Sequence, residues 1–233
     1  MSNSEKKGVA SKVIIPDLAI LDPILTLDLP SKTTASTGID AMVHAIEAFT
    51  SKSKNNNLIS KALAEKSLRL LGDSIIKAVE NGKNDAEARN QMLLGSLMAG
   101  MSFANSPVAA VHALAYPIGG HFKIAHGLSN ALVLSHVLRF NAAVAPNPYA
   151  EMAPSIFPAL SSMGPQEAAV AFAEEMAGLS ARCGLETPLR DVGIPADALD
   201  LLARDAMNQT RLLINNPRPV EENDALAIYQ AAW

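Results

Sequence analysis

The feature that most restricts the fold of this chain is a long stretch without charged side chains. From Asn90 to Phe122, between Arg89 and Lys123, no residue carries a formal charge when the histidines are neutral. A membrane span needs about 18 consecutive apolar residues, and no purely apolar window of that length occurs here. The interrupting residues are Asn105, Ser106, Pro107, His112 and His121. The stretch therefore predicts two helices buried on nearly all sides, broken at 105–107, in the centre of a helical domain.

The composition also favours helices. Hydrophobic residues make up 49% of the 233 residues, aromatic residues only 4% and charged residues 18%. Strands prefer β-branched and aromatic side chains, whereas the apolar residues here are rich in Ala, Leu and Met, which favour helices. A chain of this length can bury a large core and form one large domain or two small ones. We therefore expect a mainly α fold with a helical, bundle-like domain.

The charge balance argues against a nucleic-acid partner. The 19 basic and 23 acidic residues give a formal net charge of −4, and the basic residues are scattered, whereas phosphate-backbone binding needs a basic stripe. The single cysteine, Cys183, excludes an internal disulfide and fits a reducing compartment. Residues 1–9 are polar and lack the apolar region of a secretory signal. We expect a cytoplasmic protein without a membrane partner.

Apolar periodicity, caps and breakers place the helices. Two helices are expected between Ser31 and Gly82, then one capped by Asp85, and then one with Pro107 in its first turn. The later helices are expected at 126–140, 165–183, 195–208 and 221–233, with a proline-rich loop that contains short helical turns at 141–160. Residues 11–29 differ, because β-branched and leucine residues are punctuated by prolines, a pattern typical of short extended segments. Such segments would pair within the chain or with another chain, or be partly disordered.

Three histidines and one aspartate are candidate metal ligands. Asp40 and His44 are four residues apart, so on a helix they share one face. His112 lies in the uncharged stretch, where a buried imidazole needs a metal or a hydrogen-bond partner, and His126 opens a predicted helix. Three imidazoles and one carboxylate suit Fe²⁺ or Zn²⁺, and the lack of usable thiolates argues against a Cys-rich structural zinc site. Spacing alone leaves the site open, because aspartate and histidine four residues apart are common by chance.

Three segments of the chain resemble the C-terminal domain of the iron-containing (group III) alcohol dehydrogenases. They are, in order, TGIDAMVHAIEAFTS, VHALAYPIGGHFKIAHGLSNALVLSHVLRFN and NNPRP. The resemblance runs from about Lys6 to the C-terminus. The family also includes lactaldehyde reductases, maleylacetate reductases and hydroxyacid-oxoacid transhydrogenases.

The resemblance implies a metal-dependent dehydrogenase. Asp40, His44, His112 and His126 match the family's four ligands for Fe²⁺ or, in some members, Zn²⁺. In that family the metal polarises the substrate oxygen while hydride passes between a small alcohol or hydroxy acid and NAD(P). The expected partners are therefore a small alcohol, aldehyde or hydroxy acid, and a homodimer is considered as the assembly.

Two departures from the family pattern affect the expected activity. Tyr116 stands where many members carry a histidine that relays a proton. A tyrosine is a poor base near neutrality, which argues against the same relay here. Tyr116 either takes part in catalysis in another way or only lines the cleft. The family's α/β nucleotide-binding domain, with its glycine-rich turn, is not found. Residues 1–30 are then a remnant of that domain or interdomain strands, 31–233 form an all-α metal-binding domain, and Lys6 is the one cofactor contact carried over. We expect the isolated chain to be inactive or impaired.

Two other functions remain open on the sequence. A helical metal-dependent hydrolase could use the same ligands to activate water, although no second carboxylate cluster accompanies them. A non-catalytic helical remnant would fold without regard to metal. For His121 and His136 we favour a structural role over a catalytic one.

Overall fold

The computed structural model describes residues 11–185 and 187–233, the side chain of Lys12 excepted. Within this part the chain is helical and contains no β-strand, which confirms the mainly α prediction. The α-helices are α1 (Ser31–Thr50), α2 (Leu58–Asn81), α3 (Ala86–Asn105), α4 (Ala110–Phe122), α5 (His126–Ala142), α6 (Pro146–Met152), α7 (Pro165–Arg182), α8 (Leu199–Ala206), α9 (Thr210–Leu213) and α10 (Glu222–Ala232). Short 3-10 helices lie at Lys12–Ile14, Pro23–Thr26, Ala153–Ser155, Pro158–Ser162, Leu189–Val192 and Ala196–Ala198.

Helix α1 is the central element of the fold, because it packs against α2, α3 and α5. Ile39 and Ile46 on α1 are buried in the same apolar core as Leu68 and Ile75 on α2. Burying four such side chains contributes roughly 1.5–3 kcal/mol each. The core therefore fixes the rotation of α1 about its axis, and with it the direction in which the polar side chains of α1 point.

The uncharged stretch forms α3, a short connection and α4. Helix α4 is buried along nearly its whole surface, as expected. Helix α3 is fully buried only along a stripe that includes Gly95, Ala99 and Ser102, and most of its other residues are half-buried. Burial on nearly all sides was thus a correct prediction for α4 and a wrong one for α3. No helix of the described residues has the length and hydropathy needed to cross a membrane.

The connection between α3 and α4 corrects the predicted start of α4. Pro107 does not lie in the first turn, because α4 begins at Ala110. The Ser106 hydroxyl donates to the Ala48 carbonyl at 2.6 Å, and the Ser51 hydroxyl donates to the Pro107 carbonyl at 3.0 Å. These tertiary hydrogen bonds hold the connection against the C-terminal end of α1 and delay the first helical turn.

The segment before α1 also departs from the prediction. Its described part forms two 3-10 helices and otherwise lacks regular secondary structure, so the strand-like pattern does not produce strands there. Because no described residue offers a strand edge, the backbone N–H and C=O groups of this segment form hydrogen bonds in local turns instead of in a sheet. Its apolar side chains point outward, with Val13 91% and Ile20 81% exposed.

Gly127 allows α5 to approach α1 closely. A β-carbon at this position would lie 2.4 Å from the Ser36 carbonyl oxygen and 2.8 Å from its carbonyl carbon, both backbone atoms that cannot rotate away. Only glycine therefore permits this approach. Since His126 precedes Gly127, the same contact sets how near His126 lies to α1.

We expect Gly127→Ala to destabilise the chain by about 1–3 kcal/mol, as overpacked sites do, and to weaken metal binding by moving His126. Thermal unfolding followed by circular dichroism checks the first effect and calorimetric metal titration the second. Gly178→Ala is the matched control, because Gly178 is exposed on α7 and has open space around it. That control is expected to be stabilising by about 0.5–1 kcal/mol, and equal effects at both positions would contradict the argument.

Candidate metal centre

The four candidate ligands lie where α1, α5 and the start of α4 meet. Asp40 and His44 share one face of α1, His112 is in the first turn of α4, and His126 is the first residue of α5. His112 is 2% exposed, whereas the other three are half-buried. His112 is therefore closed off from solvent, whereas the other three side chains are partly accessible to it.

The facing atoms of these residues converge. One ligand atom from each of the four lies within 4.8 Å of all the others. His112 Nε2 is 3.1 Å from His44 Nε2 and 3.7 Å from Asp40 Oδ1, and His126 Nε2 is 3.7 Å from the same oxygen. Three imidazole nitrogens and one carboxylate oxygen thus surround a common point, as the ligands of a divalent cation do.

A second buried carboxylate, Glu47, supports His112. Glu47 is 4% exposed, and its Oε2 lies 2.7 Å from His112 Nδ1. The same side chain accepts hydrogen bonds from the backbone N–H groups of Ala109, at 2.9 Å, and Val111, at 2.6 Å. Glu47 therefore caps the start of α4 from a different helix. With Nδ1–H donated to Glu47, the lone pair of His112 Nε2 faces Asp40 and His44, an arrangement typical of metal-binding histidines.

The buried amide of Asn130 also reaches the centre. Asn130 lies one helical turn after His126, and its Nδ2 donates a hydrogen bond to Asp40 Oδ1. The same nitrogen is 3.3 Å from His112 Nε2 and 3.4 Å from His126 Nε2. It contacts the facing atoms of three of the four candidate ligands.

Burial perturbs the imidazole of His44. Burial lowers the pKa of His44 from 6.5 to about 4, the nearby His112 adds to the decrease, and Asp40 opposes it. The ring of His44 also stacks on Phe103, with centroids 4.6 Å apart. His44 is therefore neutral near pH 7, as a metal ligand must be.

The same pKa shift predicts acid sensitivity of the chelator-treated chain. His44 takes up a proton near pH 6.5 when the chain is unfolded and near pH 4 when it is folded. The unfolded state thus binds more protons in this window, so stability should be complete above about pH 6.5 and fall as the pH drops towards 4. Urea unfolding across this range is the measurement. His44→Gln should flatten the profile, and an identical profile in both proteins would contradict the assignment.

Comparison with known proteins identifies the family. A model of the C-terminal part of the Fe-containing alcohol dehydrogenase family matches residues 34–233. Long-chain-alcohol dehydrogenase 1 of Geobacillus thermodenitrificans is 42% identical over 228 residues, which are 98% of this chain and 57% of that protein. The chain belongs to the Fe-containing alcohol dehydrogenase family.

Other members of the Fe-containing alcohol dehydrogenase family agree with this assignment. The 1,3-propanediol dehydrogenase of Citrobacter freundii is 34% identical over 94% of this chain and 56% of its own length. A crystal structure of a 1,3-propanediol oxidoreductase superposes with a TM-score of 0.86 at 33% identity, over 91% of this chain and 55% of that one. The chain spans little more than half the length of these relatives.

Tyr116 lies at the rim of the centre. It follows His112 by one helical turn, and its ring centroid is 5.9 Å from that of His126 and 6.5 Å from that of His112. Burial raises the pKa of Tyr116, while Arg211, which is hydrogen-bonded to its side chain, opposes the increase. Tyr116 therefore keeps its proton near neutrality and can donate a hydrogen bond, but it is a poor base.

The remaining candidates from the sequence lie elsewhere. His121 Nε2 is 2.6 Å from Asp205 Oδ2, and His136 lines a separate cavity between α5, α7 and the C-terminus, so that their structural roles stay predictions. Lys6 falls outside the described residues. Sequence reasoning missed Glu47 and Asn130, although Glu47 is three residues after His44 and Asn130 is four after His126, spacings that place each pair on one helix face.

Proposed function

We propose that this chain is the metal-binding part of an NAD(P)-dependent alcohol dehydrogenase, with Asp40, His44, His112 and His126 as the ligands of Fe²⁺ or Zn²⁺. The convergence of their facing atoms within 4.8 Å supports the proposal. A set of imidazole and carboxylate donors without thiolate fits either ion. The buried Glu47 behind His112 is a further feature expected of a metal centre.

The residues of the chain have distinct roles in this proposal. A divalent cation held by the four ligands would supply Lewis acidity, which would lower the pKa of an alcohol hydroxyl. Glu47 keeps the proton of His112 on Nδ1, and burial keeps His44 neutral. Both histidines therefore present an unprotonated ring nitrogen to the centre. Tyr116, on the half-buried rim, is placed to donate a hydrogen bond to the substrate oxygen. The proposed substrates are small alcohols, aldehydes or hydroxy acids.

The nicotinamide is expected to be held by a further α/β region of the kind inferred from the family resemblance. We propose that residues 31–233 are the metal-binding domain and that 1–30 belong to the junction with that region, Lys6 included. The outward apolar side chains of Val13 and Ile20 support a covered junction. Cytoplasmic location and a homodimer stay predictions.

The proposal is tested with Co²⁺ as a visible probe in place of the native ion. Adding 1,3-propanediol should change the Co²⁺ absorption of the chain, because an alcohol oxygen joins the site, and Asp40→Ala should lack this response. Supplied with NAD⁺ and the alcohol, the chain alone should form little NADH. Rapid NADH formation would contradict the need for a further domain.

The same protein preparation separates the alternatives. Hydrolysis of phosphate or carboxylic esters without a nucleotide would favour the hydrolase, and thermal stability that is indifferent to a chelator would favour a non-catalytic remnant. Membership in the Fe-containing alcohol dehydrogenase family favours the dehydrogenase.

We expect Tyr116→Phe to keep the affinity for Co²⁺ and to weaken the binding of 1,3-propanediol by up to about 10-fold, the value of one hydrogen bond. Titration of the Co²⁺ absorption with alcohol measures both quantities. Tyr149→Phe is the control, because Tyr149 is buried in the core and bonded to Asn141. Unchanged alcohol affinity in Tyr116→Phe would mean that this tyrosine only lines the cleft.

A further inference from the structure

Asn130 has an environment that packing alone does not explain. It is 0% exposed, and its Nδ2 lies among three hydrogen-bond acceptors, namely Asp40 Oδ1, His112 Nε2 and His126 Nε2. An amide nitrogen carries two protons, so it cannot satisfy all three acceptors at once. Asp40, as the charged acceptor, forms the strongest of the three contacts.

The other end of the amide shows what determines its orientation. Asn130 Oδ1 is buried and has no hydrogen-bond partner among the residues that the structure describes, which costs about 1–3 kcal/mol. Rotating the amide by half a turn would place this oxygen against the Asp40 carboxylate, so that two acceptors would face each other. The hydrogen bond to Asp40 therefore sets the orientation of Asn130, even though its oxygen stays unpaired.

We propose that Asn130 is a positioning residue for the metal centre, which acts by holding the Asp40 carboxylate in place. Its donor is attached to Asp40 Oδ1, the same oxygen that lies 3.7 Å from both His112 Nε2 and His126 Nε2. Without this bond the carboxylate of Asp40 is free to rotate its oxygens away from the three imidazoles. Asn130 thus orients Asp40 through a hydrogen bond, as Glu47 orients His112. This inference rests on the proposed role of Asp40 as a metal ligand.

The position of Asn130 on α5 strengthens the argument. His126 and Asn130 lie one turn apart on the same face, and Gly127 between them lets this face approach α1. One helix turn therefore supplies both an imidazole and the amide that orients a carboxylate of another helix. The arrangement couples the placement of His126 to that of Asp40.

The test measures Co²⁺ affinity by calorimetry and Co²⁺ absorption in Asn130→Leu and Asn130→Ala. Leucine keeps the branching and approximate volume of asparagine without the donor, and serves if the alanine variant does not fold. Loss of an outer partner of a metal ligand typically weakens binding by about 10–100-fold, and we expect a loss in that range together with an altered absorption band. Neither change follows from a merely structural role.

Asn141→Ala is the matched control. Asn141 is also a buried asparagine of α5, 2% exposed, but it donates to Tyr149 and Asn216 in the core. This variant should lose stability and keep its Co²⁺ affinity. The inference is overturned if folded Asn130→Leu binds Co²⁺ as tightly as the unaltered chain, or if Asn141→Ala weakens binding equally. If 1,3-propanediol does not change the Co²⁺ absorption but Asn130→Leu still weakens Co²⁺ binding, the dehydrogenase proposal is rejected and the role of Asn130 stands.

Discussion

Asp40→Ala is expected to remove tight binding of a divalent cation. The substitution deletes the single carboxylate among the four converging side chains and leaves Asn130 without its charged acceptor. Loss of an outer partner already weakens metal sites by about 10–100-fold, so loss of a direct ligand should exceed about 100-fold. Calorimetric titration with Zn²⁺ or Co²⁺ measures this change directly.

The same substitution should abolish stabilisation by metal. A cation at about 100 times its Kd stabilises the folded state by about 2.7 kcal/mol, which for a chain of this size corresponds to a rise in Tm of about 5–10 °C. The unaltered chain should show this rise and Asp40→Ala should not. Asp205→Ala is the control, since Asp205 pairs with His121 outside the centre. A rise retained by Asp40→Ala would place the metal elsewhere.

Much of the fold could be predicted because its signals are local. Asp85 caps α3 by accepting from the Ala88 N–H group, Pro165 opens α7, and Gly184 follows α7 with a φ of 72°, as their types indicate. Helix α9, with four residues, was missed, because a single turn has too few residues to show a period.

The errors occurred where tertiary contacts outweigh local preference. Proline favours a first helical turn, yet the hydrogen bonds of Ser106 and Ser51 hold the segment around Pro107 outside α4. The residues before α1 have the composition of strands, but a strand needs a neighbouring edge. Neither the hydrogen bonds around Pro107 nor the lack of a neighbouring strand edge can be predicted from the residues of these segments themselves.

The candidate site likewise has one part that local spacing predicts and another that depends on tertiary contacts. The spacing of Asp40 and His44 is local, so their shared face could be predicted. The partners that orient His112 and Asp40 could not be predicted, since Glu47 meets His112 across 65 positions of the chain and Asn130 meets Asp40 across 90. An acidic residue such as Glu47 in an apolar helix face indicates that a buried partner exists, but which residue is that partner depends on how α1 packs against α4 and α5.

Glu47→Gln is expected to damage both the fold and the metal centre. The carboxylate accepts three hydrogen bonds, from Ala109, Val111 and His112, and glutamine has the same shape but only one oxygen. In one orientation the amide NH₂ group faces the Val111 N–H group, and in the other it faces the Ala109 N–H group and His112 Nδ1, so that His112 also has to move its proton to Nε2. We expect a loss of about 2–4 kcal/mol in the free energy of unfolding, as for a buried charged acceptor.

The effect on metal binding follows from the tautomer. With its proton on Nε2, His112 could not present a lone pair to a cation, and binding of Co²⁺ should weaken by about 10–100-fold. Glu174→Gln provides a matched control, because Glu174 pairs with Arg139 on the exposed surface, where such a pair is worth at most about 1 kcal/mol.

Comparing stability and affinity separates two roles of Glu47. A variant that loses stability but binds Co²⁺ normally would show that Glu47 serves only as the cap of α4. Loss of both is the result expected here, because the same Oε2 accepts from the backbone of Ala109 and lies against His112. The start of α4 and the orientation of its histidine are then both set by one side chain of α1, so that loss of the Glu47 carboxylate weakens the helix start and the metal centre together.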